Sequence, residues 1–128
     1  MPRALNPETI APPLGLYSHA VVSDGGGRTL QVSGQVGIAS DGSIPADAGE
    51  QSELVWRNLQ AILAAADMTM ADVVKVTAYL TDPADLAAYG AVRSRHLGDC
   101  RPASTLVFVS ALVKPELKVE VDLVAVTE

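Results

Sequence analysis

Residues that staple, ligate or stack are scarce in this chain. One cysteine, Cys100, stands among 128 residues, so no disulfide can close within the chain. With that single thiol and two well-separated histidines, His19 and His96, the spacing of a metal site is missing as well. The cytoplasm is therefore the expected compartment, and no metal or cofactor is expected. Aromatic residues make up 4% of the chain, too few to build a platform on which bases stack. Cations are scarce too: 9 Lys and Arg against 15 Asp and Glu leave a formal charge of −6. Phosphate binding draws on the opposite surplus, so nucleic acid is not an expected partner. No apolar run approaches the roughly 20 residues of a membrane-spanning helix. The prolines that interrupt the chain up to Pro13 leave no apolar core for a signal peptide. The glycine run Gly25 to Gly27 lacks the lysine and the strand-to-helix setting of a phosphate loop, and reads as a turn.

What the chain does have is 48% apolar content, enough at this length for one domain, residues 1–128, around one core. Thr29 to Ile38 alternates, with Leu30, Val32, Val36 and Ile38 on one parity. That pattern predicts a strand returning as a hairpin from another near Tyr17 to Val22. Asp41, Gly42, Ser43 and Pro45 mark a turn, and Asp47 followed three residues later by Glu50 has the spacing of a helix N-cap and capping box. Val55, Leu59, Ile62, Leu63 and Ala66 recur at helical spacing behind it. Val73 to Leu80 is rich in β-branched residues and predicts a strand. Asp82 and Pro83 open a second helix that ends near Gly98, with a thin apolar stripe of Leu86, Tyr89, Val92 or His96, and Leu97. Two strands, about Thr105 to Ser110 and Lys118 to Val126, follow around a loop containing Pro115. The order is β-β-α-β-α-β-β, an α+β fold in which two helices cover one face of a mixed sheet.

That arrangement bears on assembly. Leu106 to Val109 is continuously apolar, and the last strand carries Val124 and Val126 besides Val119, Val121, Leu123 and Ala125. Both sheet faces then need cover, and two helices supply it to only one. The other face is expected to meet a second copy of the chain.

From about Gly15 to Val126 the chain resembles the Rid family, also called the YjgF family. Gly15, Leu16, Tyr17 and Ser18 resemble its Gly-x-Tyr-Ser opening, and Val32, Ser33, Gly34 and Gln35 its Val-Ser-Gly-Gln strand. Asn58, Leu59, Ala61 and Leu63 resemble its first helix. Asp72, Val73, Val74, Lys75 and Thr77 resemble the strand that follows. Pro102 and Ala103 start a block similar to Pro-Ala-Arg-Ser, and Val119, Glu120 and Val121 match the closing strand. The resemblance implies the chorismate-mutase-like fold assembled as a homotrimeric barrel, with small-molecule sites in the clefts between subunits.

It also implies an activity. Many members hydrolyse reactive enamines and imines to a carbonyl compound and ammonia. In the family a closing-strand glutamate lies near the attacking water, an arginine pairs with the substrate carboxylate, and a tyrosine and backbone groups line the cleft. Glu120 and Tyr17 match two of these positions, with Ser33 and Gly34 beside them. Ser104 stands where the arginine belongs, and one hydroxyl replaces a bidentate, charge-assisted pair. Gly90 stands where members often carry a substrate-contacting asparagine, and Leu106 where a cysteine is common. These departures imply a deaminase-type hydrolase whose substrate differs from 2-aminoacrylate. The other reading is a trimer that binds a metabolite or partner protein without chemistry. Endoribonuclease activity, a name attached to the family, is opposed by the charge of −6.

Each residue also has a plain structural reading. Glu120 alternates with valines beside Lys118 and Asp122, the pattern of a solvated strand face with a Lys118–Glu120 pair. Tyr17 fits a packed aromatic at a strand start. Arg101 precedes a proline that holds it extended and sends its side chain away from the cleft. Asp99 next to Cys100 disfavours a reactive thiolate.

Overall fold

The first helix starts where its capping residues predict. Asp47 is extended, and its carboxylate accepts a hydrogen bond from the Glu50 amide at 3.0 Å, satisfying one of the donors that a helix start leaves over. The computed structural model describes residues 2–9, 12–13 and 15–127. Its elements are β1 (Arg3–Leu5), β2 (Ala20–Val22), β3 (Thr29–Val36), α1 (Ala48–Ala65), β4 (Val73–Leu80), α2 (Leu86–Leu97), β5 (Ala103–Phe108) and β6 (Val119–Val126). The main sheet runs β3-β6-β4-β5, with β6 antiparallel to both neighbours and β5 parallel to β4. This is the expected mixed sheet of an α+β fold.

One face of that sheet meets both helices. Val55, Trp56, Leu59 and Leu63 of α1 are buried, as are Val76, Ala78 and Leu80 of β4 and Val119, Val121, Leu123 and Ala125 of β6. Ile62 and Ala66, the other two residues of the predicted stripe, are partly buried against this core. Each fully buried leucine or valine contributes roughly 1.5–3 kcal/mol over leaving it in water. Asp82 accepts from the Ala84 amide at 2.9 Å, and Pro83 opens a single tight turn, Pro83–Asp85, that runs into α2. Gly98 ends α2 at a φ of 56°, a conformation open to glycine at little cost. Tyr89, Val92 and Leu97 form the buried stripe of α2. His96 stacks instead on Trp56, ring centroids 6.2 Å apart, and contacts Glu53 at 3.2 Å.

The hairpin and several strand bounds need correction. The hairpin between the segment near Tyr17 and β3 does not form among the described residues. Gly25 and Gly26 turn the chain at φ 71° and 93°, but β2 finds its hydrogen-bonding partner in β1, with Arg3 opposite Val22. The β1 segment sits between Pro2 and Pro7 and gave no strand signal. Strand bounds shift as well: β3 stops at Val36 because the Ile38 amide turns back onto the Val36 carbonyl at 2.9 Å, β5 runs from Ala103 to Phe108 instead of Thr105 to Ser110, and β6 starts at Val119.

The sheet face left open by the helices is also more polar than the run Leu106 to Val109 suggests. Lys75 donates to Thr105 at 2.7 Å, and Tyr79 donates to Asp122 at 2.9 Å, across the middle of that face. Val107, in register with Tyr79, adds apolar area to that face at 41% exposure, whereas Phe108 pairs with the buried Leu80 and lies on the helix side.

Candidate functional site

Strand parity decides which predicted site residues can meet. Ser104 pairs in register with the buried Val76, and Leu106 with the buried Ala78, so both side chains point to the helix side of the sheet. There they face α2, whose residues Leu86, Tyr89, Gly90 and Arg93 recur at helical spacing. The segment Gly15 to Ser18 closes the third side. It is tied along the start of β5 by the Ser18 amide donating to the Pro102 carbonyl at 3.0 Å, and by the Ser18 hydroxyl donating to the Arg101 carbonyl. The result is a cleft of about 470 Å³ lined by Gly15, Leu16, Tyr17, Leu86, Tyr89, Gly90, Arg93, Ser104 and Leu106. Three predicted residues, Tyr17, Gly90 and Ser104, thus share one cavity.

The cleft is mostly apolar, with convergent polar groups. Tyr17 meets His19 edge to face, with ring centroids 6.5 Å apart and planes at 85°. A Cβ at Gly90 would meet nothing within 4 Å, so this glycine leaves its stretch of wall open. Arg93 is the residue that sequence reasoning missed. Its Nη1 donates to the Leu16 carbonyl at 3.0 Å, while its Nη2 is buried without a hydrogen-bond partner. Burial holds the Arg93 pKa below its ordinary value, Tyr89 opposes that shift, and nearby Arg101 adds to it. Arg101 itself turns away, as expected, donating to the Gly98 carbonyl at 2.7 Å and the Cys100 carbonyl at 3.0 Å. A signal for Arg93 did exist: it lies three residues after Gly90, on the same helix face.

Glu120 lies elsewhere. It pairs in register with Tyr79 and Val36 and points to the open sheet face. From β6 the cleft is two strands away, about 10 Å, and on the opposite side of the sheet. Gly34 does accompany Glu120: a Cβ there would fall 1.9 Å from Glu120 Oε2, so the carboxylate occupies space that any other residue would fill. This closeness arises at a register shift between Val32 and Gln35, an irregularity of the kind that re-aims side chains near functional sites. Exposed Ser33 sits in the same irregular stretch, its carbonyl accepting from Gln35 at 3.1 Å. Among the described residues Glu120 has no ion pair with Lys118 or any other cation. It borders a shallow depression with Tyr79, Val109, Ala111, Leu112 and Val113.

The predicted site residues therefore fall into two groups, Tyr17, Gly90 and Ser104 in the cleft, and Ser33, Gly34 and Glu120 toward the open face. Among the described residues no group of three or more His, Cys, Asp and Glu is placed to hold a metal ion, and no helix is long and apolar enough to cross a membrane.

Known proteins of the same architecture bear on what these groups do. The family described as Endoribonuclease L-PSP matches residues 8–127. Protein DfrA of Myxococcus xanthus is 36% identical over 127 residues, covering 98% of this chain and 95% of that protein. A protein of Escherichia coli provisionally named reactive intermediate deaminase TdcF is 32% identical over 104 residues, 78% of this chain and 80% of that protein. The crystal structure of YyfB from Yersinia pestis, described as a Rid-family protein of unknown function, superposes with a TM-score of 0.88 at 35% identity over 98% of both chains. Matched at this identity along nearly its whole length, the chain belongs to the Rid family, the group whose members also carry the YjgF and endoribonuclease L-PSP names.

Proposed function

We propose that the protein hydrolyses a small enamine or imine, a deaminase-type reaction on a substrate other than 2-aminoacrylate. The site is a cleft completed by a second copy of the chain in a homotrimer. The observation that carries this reading is the Glu120 carboxylate, which has no ion pair among the described residues and is held where Gly34 leaves room for it. A carboxylate with no cation to satisfy it is free to accept a proton from water. An enamine first takes a proton on carbon and becomes the imine. The water oxygen then bonds to the C=N carbon while its proton passes to Glu120, which hands it to the nitrogen. The new hydroxyl then passes its proton by way of Glu120 to the same nitrogen as the C–N bond breaks, so that ammonia leaves and a carbonyl remains.

Because the sheet separates Glu120 from the Tyr17–Gly90–Ser104 cleft, a site that uses both draws them from different copies. Exposed Val107, in register with Tyr79, gives the open face apolar area for that contact. The test is Glu120→Gln, isosteric and uncharged. Imines are generated in situ, ammonia release is followed, and mass is measured by light scattering. The expected outcome is a mass of three chains in both proteins, with turnover lower by about 10²- to 10⁴-fold in the variant. Full turnover in an intact trimer refutes the mechanism. A wild type with no turnover on any imine favours the binding-only reading, and a mass near the 13.3 kDa of one chain refutes the assembly.

A further inference from the structure

Arg93 is an oddity in an acidic protein. It is largely buried, its fork is half used, and no carboxylate pairs with it among the described residues, although Asp and Glu outnumber Lys and Arg by 15 to 9. Burying a cation without a counter-charge is unfavourable, and folded proteins ordinarily pair such a group. Other depressions on the surface have acids in their walls: Asp82 and Asp85 in one, Asp99 in a second, Glu120 in a third. The lining of the Arg93 cleft contains none. The Tyr89 hydroxyl, also in the lining, is buried with the Trp56 indole N–H as its neighbour, and no acid meets it. The cleft thus holds one half-used cation and no carboxylate, while Leu16, Leu86 and Leu106 make its walls apolar.

We propose that Arg93 anchors the substrate, and that the substrate is a small carboxylate with a compact apolar body. The charge that Ser104 cannot supply from β5 comes from α2, across the same cleft. Arg93 is then a specificity-determining residue, since it holds an oxygen remote from the reacting carbon. The inference rests on the hydrolase reading for the word substrate, but its test rests on binding alone.

The probes are 3-methylbutanoate and 3-methylbutanamide, which share a shape and differ in charge. Each is titrated into the full-length wild type, Arg93→Gln, Arg93→Lys and the surface control Arg57→Gln, with binding read from amide and guanidinium NMR shifts. Wild type and the control are expected to favour the acid by about tenfold or more, with the Arg93 guanidinium signal moving on binding. Arg93→Gln is expected to lose the preference and Arg93→Lys to keep part of it. Equal binding of acid and amide by the wild type overturns the proposal, as does a preference that survives in Arg93→Gln, or no binding of either at millimolar concentration. The wild-type comparison and its guanidinium signal decide the matter even if Arg93→Gln fails to fold. Persisting turnover in Glu120→Gln would sink the hydrolase mechanism and leave this result standing.

Discussion

Gln51 offers a sharp test of how the open-face half of the site is held. It lies within α1, fully buried, and its amide makes three hydrogen bonds to backbone. Nε2 donates to the carbonyls of Pro45 at 2.8 Å and Glu116 at 2.9 Å, and Oε1 accepts from the Lys118 amide at 2.8 Å. One side chain thereby fastens the loop before α1 to the loop that feeds β6, two residues ahead of Glu120. Gln51→Met preserves length and removes all three bonds. A buried backbone group left unsatisfied costs about 1–3 kcal/mol, and these sites are only part-buried, so the low end applies and the sum is about 3–5 kcal/mol. At roughly 3–5 °C per kcal/mol for a chain of this size, the melting temperature should fall by about 10–25 °C. Trp56 is the only tryptophan and is fully buried, so its fluorescence reports unfolding without a label. Urea titrations at one fixed protomer concentration keep any linkage to assembly constant. A loss below about 1 kcal/mol would refute the reasoning, because water or the methionine sulfur would then have replaced the lost bonds.

Gly34→Ala is expected to lower turnover toward the level of Glu120→Gln while changing unfolding free energy by less than about 1 kcal/mol, because the group it displaces is the flexible end of Glu120. Urea titration and ammonia release on the same preparation check both halves of that statement. Partial burial acts to raise the Glu53 pKa, but the hydrogen bond and charge of His96, with Arg95, outweigh it and hold the carboxyl below its ordinary 4.5. A depressed folded-state pKa contributes stability above the unfolded value and loses it as pH falls through the folded one. The difference in urea midpoint between wild type and Glu53→Gln should therefore be present at neutral pH and shrink below about pH 4.5, and an unchanging difference would refute it.

Much of the fold was legible because local signals agreed with one another. Asp47, Asp82 and Gly98 punctuate the helices by short-range chemistry that needs no tertiary context. The strand Val73–Leu80 was readable from β-branching alone. The β1–β2 pairing was not, since a three-residue strand between prolines carries no periodicity, and its partner is chosen by which edges are free. Among the candidate site residues, motif position singled out Glu120, Gly34, Tyr17 and Ser104, but not their division between two sides of a sheet. That division follows from parity plus register, and register is a property of paired strands. Arg93 was missed for a related reason: on the sequence it is one charge in a polar stretch, and only burial against the Leu16 carbonyl and the lack of a counter-charge single it out.

The division into two halves makes a demand that no single-site substitution tests. If each site takes Glu120 from one copy and the cleft from its neighbour, variants disabled in different halves must complement. Glu120→Gln disables the first half. Gly90→Phe disables the second, since the space above Gly90 is empty and a phenyl ring there fills the cleft without touching the core. Each homotrimer should be inactive. When the two are unfolded together and refolded at equal amounts, a cyclic trimer has three equivalent neighbour contacts, and a site is intact when its glutamate comes from a Gly90→Phe chain and its cleft from a Glu120→Gln chain. Random assembly satisfies both conditions with probability one half each, so about one quarter of sites, and about one quarter of wild-type turnover, should return. Mixing without unfolding should restore nothing until subunits exchange. If both halves act within one chain, every chain in the mixture carries one defect and no activity can return. Failure to complement in trimers shown to be mixed by mass spectrometry would therefore refute the shared site, whatever the substrate is.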